Sequence, residues 1–244
     1  STAFRKLSTY ILQSLKRLMQ QAGKHVSILA ILSLMLIALT LLNISLGSVN
    51  IPFNDIFSSF MNAEVSKETY RYIILDYRLP KAFTAIIAGS GLAISGLLMQ
   101  TMFRNPLAGP YVLGLSSGAS LGVAIVIMGA TLIGGSFVAL ALSKWTLVIA
   151  SSLGSLMVLF AVVLASVRLR DTMAILIVGL MFASLTGAVV SILSYFSPAA
   201  QLQQYIFWSF GSLGDLSWEE VGILTIFWFL GISLAIFCIK NLNS

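Results

Sequence analysis

One long uncharged run constrains this chain more than any other feature of its sequence. No charged side chain occurs from Ala82 to Met102, a run of 21 residues. At about 1.5 Å per residue, a helix of that length crosses a hydrocarbon core of roughly 30 Å. We therefore predict a membrane-spanning helix that begins at Arg78–Lys81. Pro80 suits a first turn, because its missing N–H breaks no helical hydrogen bond there.

The rest of the chain is similarly apolar. Hydrophobic residues make up 58% of the 244 residues and charged residues 9%, and the mean hydropathy is +0.99. A soluble domain built around a single core does not have this composition. The chain is predicted to be an all-α, polytopic transmembrane helical bundle, with six spans at residues 26–46, 80–102, 115–134, 145–167, 173–196 and 221–239.

The amino-terminal segment, residues 1–24, differs from the spans. It carries five basic residues, and its apolar residues recur at three- and four-residue spacing. This pattern predicts a basic amphipathic helix that lies on an anionic membrane surface. Residues 25–244 are then expected to form one transmembrane domain, with further short amphipathic helices near Ile56–Met61 and within 199–214.

Basic residues at the ends of the spans predict the orientation. With the amino terminus in the cytoplasm, nine Lys and Arg residues lie on the inner side and five on the outer side. Because cytoplasmic segments carry the excess of Lys and Arg, this orientation is favoured. The net charge of +6 is thus explained by topology, and we expect no nucleic-acid partner.

The middle of every predicted span lacks Asp, Glu, Lys, Arg and His. Proton- or sodium-coupled carriers usually place an ionisable or ion-coordinating group there, since a charge buried in lipid is costly and persists only where function uses it. This favours a conduit that is energised by another subunit. A self-contained six-span channel or secondary carrier remains the alternative.

The sequence offers no constellation for catalysis. His25 is its only histidine, Cys238 is its only cysteine, and no GxxxxGK[ST] motif occurs. A histidine-based zinc cluster, a Ser–His pair within the membrane and a P-loop are therefore absent. We expect no catalytic residue, no metal site and no cofactor.

Several short motifs follow one another between Arg78 and Gly122: RLP, MQ, RNPLAGP, LG and SSGAS. Their order resembles the signature region of FecCD-type permeases, the membrane subunits of bacterial ABC importers for iron-siderophores, haem and cobalamin. The resemblance implies a transport subunit of the inner membrane with ten spans, of which this chain would hold the amino-terminal six. It also implies a cytoplasmic coupling loop after the sixth span, beyond Ser244, so we expect a fragment of a longer permease.

The resemblance further implies partners. These are a separate ATP-binding cassette subunit that hydrolyses ATP, a periplasmic or lipid-anchored substrate-binding protein, a second permease copy in a homodimer, and membrane lipid.

The resemblance also assigns roles to residues. Arg78 and Lys81 would dock acidic residues of the binding protein, although relatives more often carry Arg at the position of Lys81, and Lys lacks its bidentate fork. Asn105, Leu107 and Thr172 would form the cytoplasmic gate.

Small residues recur in two places. Gly179, Ala183, Gly187 and Ser191 follow at every fourth residue, a pattern typical of close helix packing in membranes. Packing alone explains it, but the resemblance implies that this helix also lines the central pathway. Ser116, Ser117 and Gly118 are predicted to serve the pathway or helix packing in the same way.

Overall fold

The computed structural model describes residues 2–61, 63–133, 143–169, 171–214 and 216–242. Within these ranges it does not describe the side chains of residues 2–22, 131–133, 172 and 239–242. The described residues form helices and turns and contain no strand. The prediction of an all-α fold is confirmed.

The helices follow the predicted spans closely. In chain order they are α1 (Thr2–Ser45), α2 (Phe53–Phe60), α3 (Glu68–Tyr72), a π-helical turn (Ile73–Arg78), α4 (Leu79–Phe103), a 3₁₀ turn (Pro110–Leu113), α5 (Leu115–Ile133), α6 (Lys144–Ser166), α7 (Thr172–Phe196), α8 (Ala199–Phe210) and α9 (Trp218–Leu242). Long apolar stretches that could cross a membrane are Gly23–Ser45, Glu68–Phe103, Lys144–Ser166, Met173–Phe196 and Trp218–Cys238. The third predicted span corresponds to α5, whose 19 residues extend about 28 Å.

The first helix is continuous across two predicted segments. α1 runs without interruption from Thr2 to Ser45, so the predicted amphipathic segment and the first span belong to one helix. The placement of residues 1–24 on a membrane surface stays a prediction, and so does the single transmembrane domain from residue 25.

The α-helix predicted to begin at Arg78–Lys81 begins at Leu79, but it is not the start of helical structure. Helical structure starts at Glu68 and passes through the π-helical turn into α4. In that turn the N–H of Leu79 donates to the carbonyl of Ile74, five residues earlier. The wider turn precedes Pro80, whose ring in an ordinary helix would press on the carbonyl four residues back. The helix therefore continues through a proline that normally marks a boundary.

The described contacts divide the chain into two compact units. The first comprises Ser1–Phe83 with Leu216–Trp218. Its core is a cluster of aliphatic side chains from the end of α1, from α2 and from the π-helical turn into α4: Ile44, Ile51, Ile56, Ile74 and Ala82. Two contacts join Trp218 to this unit, a hydrogen bond from Nε1 to the carbonyl of Leu75 (2.9 Å) and an edge-on contact with Phe83.

The second unit comprises Thr84–Asp215 with Glu219–Ser244. It contains the packed helices α5, α6 and α7 and the turn that precedes α5. One buried cluster joins that turn to α6 and α7: Phe103, Ala108, Leu113, Val158, Val162 and Leu176. A second cluster of Val123, Ile127 and Ala150 lies between α5 and α6, with Tyr205 and Trp208 of α8 packed against it.

Candidate functional site

The turn after α4 is built by local hydrogen bonds. Arg104 ends the helix in a left-handed conformation (φ +47°), and the N–H of Asn105 donates back to the carbonyl of Gln100 at 3.1 Å, as in a Schellman helix end. The side-chain Oδ1 of Asn105 accepts from the N–H of Leu107 at 2.9 Å. The sequence Arg–Asn–Pro–Leu thus fixes a compact turn, with Leu107 81% exposed at its tip.

This segment continues into a glycine contact with α7. Gly114 has a φ of +76°, a conformation that other residues adopt only with strain. A Cβ on Gly114 would lie 3.0 Å from Cγ1 of Val158 and 3.3 Å from the carbonyl oxygen of Gly179. On Gly179, a Cβ would lie 2.5 Å from the carbonyl oxygen of Val112. The start of α5 is therefore held directly against the backbone of α7.

Backbone contact also joins α5 to α6. A Cβ on Gly118 would lie 2.6 Å from the carbonyl oxygen of Gly154, and one on Gly122 would clash with the carbonyl of Ala150. The hydroxyl of Ser155 donates to the carbonyl of Leu115 at 2.9 Å and links the same two helices. At these glycines the backbones of the two helices are therefore in direct contact.

Arg78 lies at the end of the π-helical turn and is 9% exposed. Its Nη1 donates to the carbonyl oxygens of Ile44 (2.6 Å) and Ser45 (2.8 Å), and its Nη2 donates to that of Val49. A Cβ on Gly47 would come within 2.7 Å of Nη2. The guanidinium therefore occupies a pocket of backbone carbonyls that a glycine leaves open.

Comparison with known proteins identifies the family. The model of the FecCD transport family matches residues 35–244. The chain belongs to the FecCD transport family. The resemblance in the Arg78–Gly122 motifs is thereby confirmed, and this FecCD chain is a multi-pass membrane protein.

Individual relatives of this FecCD chain are permeases of several import systems. The hemin transport system permease protein HmuU of Yersinia pestis is 33% identical over 79% of the chain and 55% of the relative. The vitamin B12 import system permease protein BtuC of Salmonella arizonae is 30% identical over 84% and 57%. The molybdate import system permease protein MolB of Haemophilus influenzae is 29% identical over 82% and 58%. The chain spans little more than half the length of these relatives.

A solved structure is similar to this FecCD chain in three dimensions. It is described as an inward-facing conformation of a metal-chelate type ABC transporter. The TM-score is 0.72 at 26% identity, over 89% of this chain and 63% of the other.

The predicted docking residues of the FecCD chain differ in exposure. Lys81 is exposed, whereas Arg78 is buried in its carbonyl pocket. Among the described residues no carboxylate pairs with Arg78, so its charge is balanced by carbonyl dipoles. The docking role of both residues stays a prediction.

The predicted gate residues lie in the turn after α4 and at the start of α7. Asn105 is half-buried and shapes the turn, and Leu107 projects from it. The side chain of Thr172 lies outside the described ones, but the preceding Asp171 caps α7, since its Oδ1 accepts from the N–H of Met173 at 3.0 Å. Whether these residues gate a pathway stays a prediction.

The small residues of α7 do not share one environment. Gly179 is buried against the 3₁₀ turn, but nothing lies within 4 Å of a Cβ built on Gly187, and Ser191 is exposed. The hydroxyl of Ser191 donates to the carbonyl of Gly187 within its own helix. Ala183 is half-buried. Within the described residues, close backbone approach is thus limited to the Gly179 end of this row.

The serines at the start of α5 are also unlike each other. Ser116 is exposed, whereas Ser117 is half-buried and donates to the carbonyl of Gly114 at 2.9 Å. Gly118, by contrast, is part of the backbone contact with α6. The pathway roles predicted for all three stay predictions.

Sequence reasoning missed two contacts. Ala150 and Gly154 of α6, which face Gly118 and Gly122, were not singled out, although both pairs have the small-xxx-small spacing that indicates such packing. The second is the hydrogen bond from Trp228 Nε1 to the hydroxyl of Ser90 at 3.0 Å. A hydrogen bond between a tryptophan and a serine on different spans leaves no recognisable pattern in a single sequence.

Proposed function

We propose that this chain is the membrane-spanning part of a permease subunit in an ATP-driven importer. Its substrate would be an iron-siderophore, haem or cobalamin-like chelate. The observation that carries the proposal is the family match over residues 35–244, which includes the turn between α4 and α5. The relatives named for hemin and vitamin B12 support a large chelate as the substrate. Because another relative is named for molybdate, a small oxyanion is the alternative substrate to be tested.

The proposed assembly contains a second permease copy, an ATP-binding cassette subunit on the cytoplasmic side and a substrate-binding protein on the other. The permease itself would perform no covalent chemistry. It would lie in a bacterial inner membrane, in contact with lipid, with its amino terminus in the cytoplasm. The exposed amine of Lys81 and the segment that Arg78 anchors would form the docking surface for acidic residues of the binding protein.

The turn around Asn105 and Leu107 is proposed to close the cytoplasmic end of the pathway together with the Thr172 region. The backbone contact of the 3₁₀ turn with Gly179 supports this, because a shift of α7 would be transmitted to the turn without an intervening side chain. The open faces of Gly187, Ser191 and Ser116 are proposed to border the pathway.

Uptake into proteoliposomes tests the function. The permease to which these residues belong is reconstituted with its partner ATPase and binding protein, and radiolabelled haemin, cyanocobalamin, ferrichrome and molybdate are offered in turn. We expect one chelate to enter only when ATP and the ATPase are both present. Uptake that persists without the ATPase would contradict the proposal and favour the self-contained carrier. If molybdate is the only compound that enters, the proposal of an ATP-driven importer would stand, but the proposal of a chelate substrate would be wrong.

A further inference from the structure

The short helix α2 buries polar residues and exposes apolar ones. Its buried residues are Asp55, Ile56 and Ser59, and two of these three are polar. The large apolar side chains of the helix and of the residue that follows it are instead between 50% and 69% exposed: Phe53, Phe57, Phe60 and Met61. At about 100° per residue these four residues lie on one side of the helix, and we call them the apolar ridge.

Hydrogen bonds fix this orientation of α2. Oδ1 of Asp55 accepts from the N–H of Ser66 at 3.0 Å and from its hydroxyl at 2.9 Å. The hydroxyl of Ser59 donates to the carbonyl of Asp55 at 2.6 Å. A rotation of α2 that buried the ridge would break the hydrogen bonds between Asp55 and Ser66 and would expose Ile56. The ridge is therefore exposed because another side of the helix is bound to the rest of the unit.

This arrangement would be unfavourable if the ridge faced water. Asp55 is 5% exposed, and its Oδ2 is buried without a hydrogen-bond partner among the described residues. Burying a carboxylate is costly, while leaving the ridge in water forgoes the main stabilising contribution that apolar side chains can make. The orientation of α2 becomes favourable when the ridge meets apolar surroundings.

The position of α2 places the ridge at a membrane boundary. The apolar stretch of α1 has 23 residues and ends at Ser45, and it extends about 34 Å against a hydrocarbon core of roughly 30 Å. Ser45 therefore lies at one edge of that core. The neighbouring Ile44 belongs to the same buried cluster as Ile56 of α2. Thus α2 lies at the level where α1 reaches the membrane boundary.

The exposed surface stays apolar from α1 to the ridge. Exposed apolar residues continue past the end of α1, at Leu42, Leu46, Val49 and Phe53. After Lys24, the first exposed charged side chain is that of Glu64, beyond the ridge. A surface that meets lipid along α1 therefore reaches the ridge without an intervening exposed charge, which favours phospholipid as the medium that covers it.

We infer that α2 is an interfacial anchor, whose apolar ridge inserts among phospholipid chains at the edge of the membrane where α1 ends. Asn54 and Ser58, on a third side of the helix, face the headgroups and water. Helices of this kind bury their apolar side about 5–10 Å into the boundary between headgroups and acyl chains. The ridge thereby fixes the depth in the membrane of the segment that follows α1. This role does not depend on the transported substrate or on the proposed function.

The accessibility of spin labels tests the anchor. In the permease to which these residues belong, all native cysteines are replaced by serine, and one spin label is attached to Phe57→Cys or Phe60→Cys. Asn54→Cys and Glu64→Cys are the controls, since both residues are polar and exposed. In phospholipid nanodiscs we expect the ridge labels to be several-fold more accessible to oxygen, which partitions into lipid, than to a water-soluble nickel chelate. The control labels should show the opposite preference.

The two other outcomes would each overturn the anchor. Ridge labels that prefer the nickel chelate, as the controls do, would show that the ridge faces water. Ridge labels that are protected from both reagents would show that protein covers the ridge, whether a second copy, a partner or another segment of the permease.

Photolabelling tests the anchor without a substitution in α2. The unaltered permease in the same nanodiscs is irradiated with a lipid-soluble diazirine, and the labelled residues are identified by mass spectrometry. We expect labels on Phe57, Phe60 and Met61 and none on Asn54. Leu34, which is exposed within α1, is the positive control. A label on Leu34 with none on the ridge would contradict insertion into lipid.

Discussion

Replacement of Gly118 by alanine tests the backbone contact between α5 and α6. The new Cβ would lie 2.6 Å from the carbonyl oxygen of Gly154, and ordinary contact begins at 3.4 Å. The helices must therefore separate by about 0.8 Å, a gap that forfeits a quarter to a half of each local dispersion contact. Overpacking of this kind costs about 1–3 kcal/mol.

The same shift would break the hydrogen bond from Ser155 to the carbonyl of Leu115, now 2.9 Å long. A hydrogen bond between membrane helices contributes about 0.6 kcal/mol on average. Alanine is a better helix former than glycine, and this difference offsets up to about 1 kcal/mol of the lost stability. The net loss is about 2 kcal/mol, equivalent to a fall of about 4–8 °C in Tm for a chain of this size.

The assay is a heat challenge of the detergent-purified protein, followed by size-exclusion chromatography of the fraction that remains monodisperse. Gly96→Ala and Gly187→Ala are matched controls, since neither Cβ meets an atom within 4 Å. Both should melt at or slightly above the temperature of the unaltered chain. A Gly118→Ala variant that melts within about 1 °C of these controls would show that α5 and α6 are not in backbone contact.

Three smaller effects are expected in the same assay. Gly114→Ala must hold a positive φ and should lower Tm by about 2–4 °C, for a cost near 1 kcal/mol; an unchanged Tm would contradict the left-handed geometry. Trp228→Phe and Ser90→Ala each remove one hydrogen bond and should cost about 1–2 °C, with no further loss in the double variant; additive losses would show that the two side chains do not interact. Asn105→Ala removes the acceptor for the turn and should cost about 1 kcal/mol, whereas Asn105→Asp should retain most of the stability; equal losses in both would assign the effect to something other than the hydrogen bond.

Helix positions in this chain were predictable because charged residues mark the ends of the apolar runs. Spans predicted at 145–167 and 173–196 are helices at Lys144–Ser166 and Thr172–Phe196, with Lys144 and the residues around Asp171 outside the apolar stretches. Pro80 correctly indicated where α4 begins, but a local rule cannot foresee the π-helical turn that precedes it.

The candidate site was less predictable, because its contacts join distant residues. The sequence alone indicates that Arg78 is an exposed cation at the membrane interface. Its burial depends on carbonyls at the end of α1 and on Gly47, which are distant in sequence. The spacing of Gly118 and Gly122 indicates a packing face, but only the tertiary structure shows that Ala150 and Gly154 cover it. The family resemblance supplied roles for residues and could not supply these contacts.

The meeting of Gly118 with Gly154 limits how the second unit can move. Where side chains separate two helices, a change of rotamers lets one helix slide past the other. At this crossing backbone meets backbone beside the side chain of Val158, and sliding would drive the carbonyl of Gly154 into the backbone of α5. We therefore expect α5 and α6 to move together near this crossing, and relative sliding to occur at boundaries without direct backbone contact.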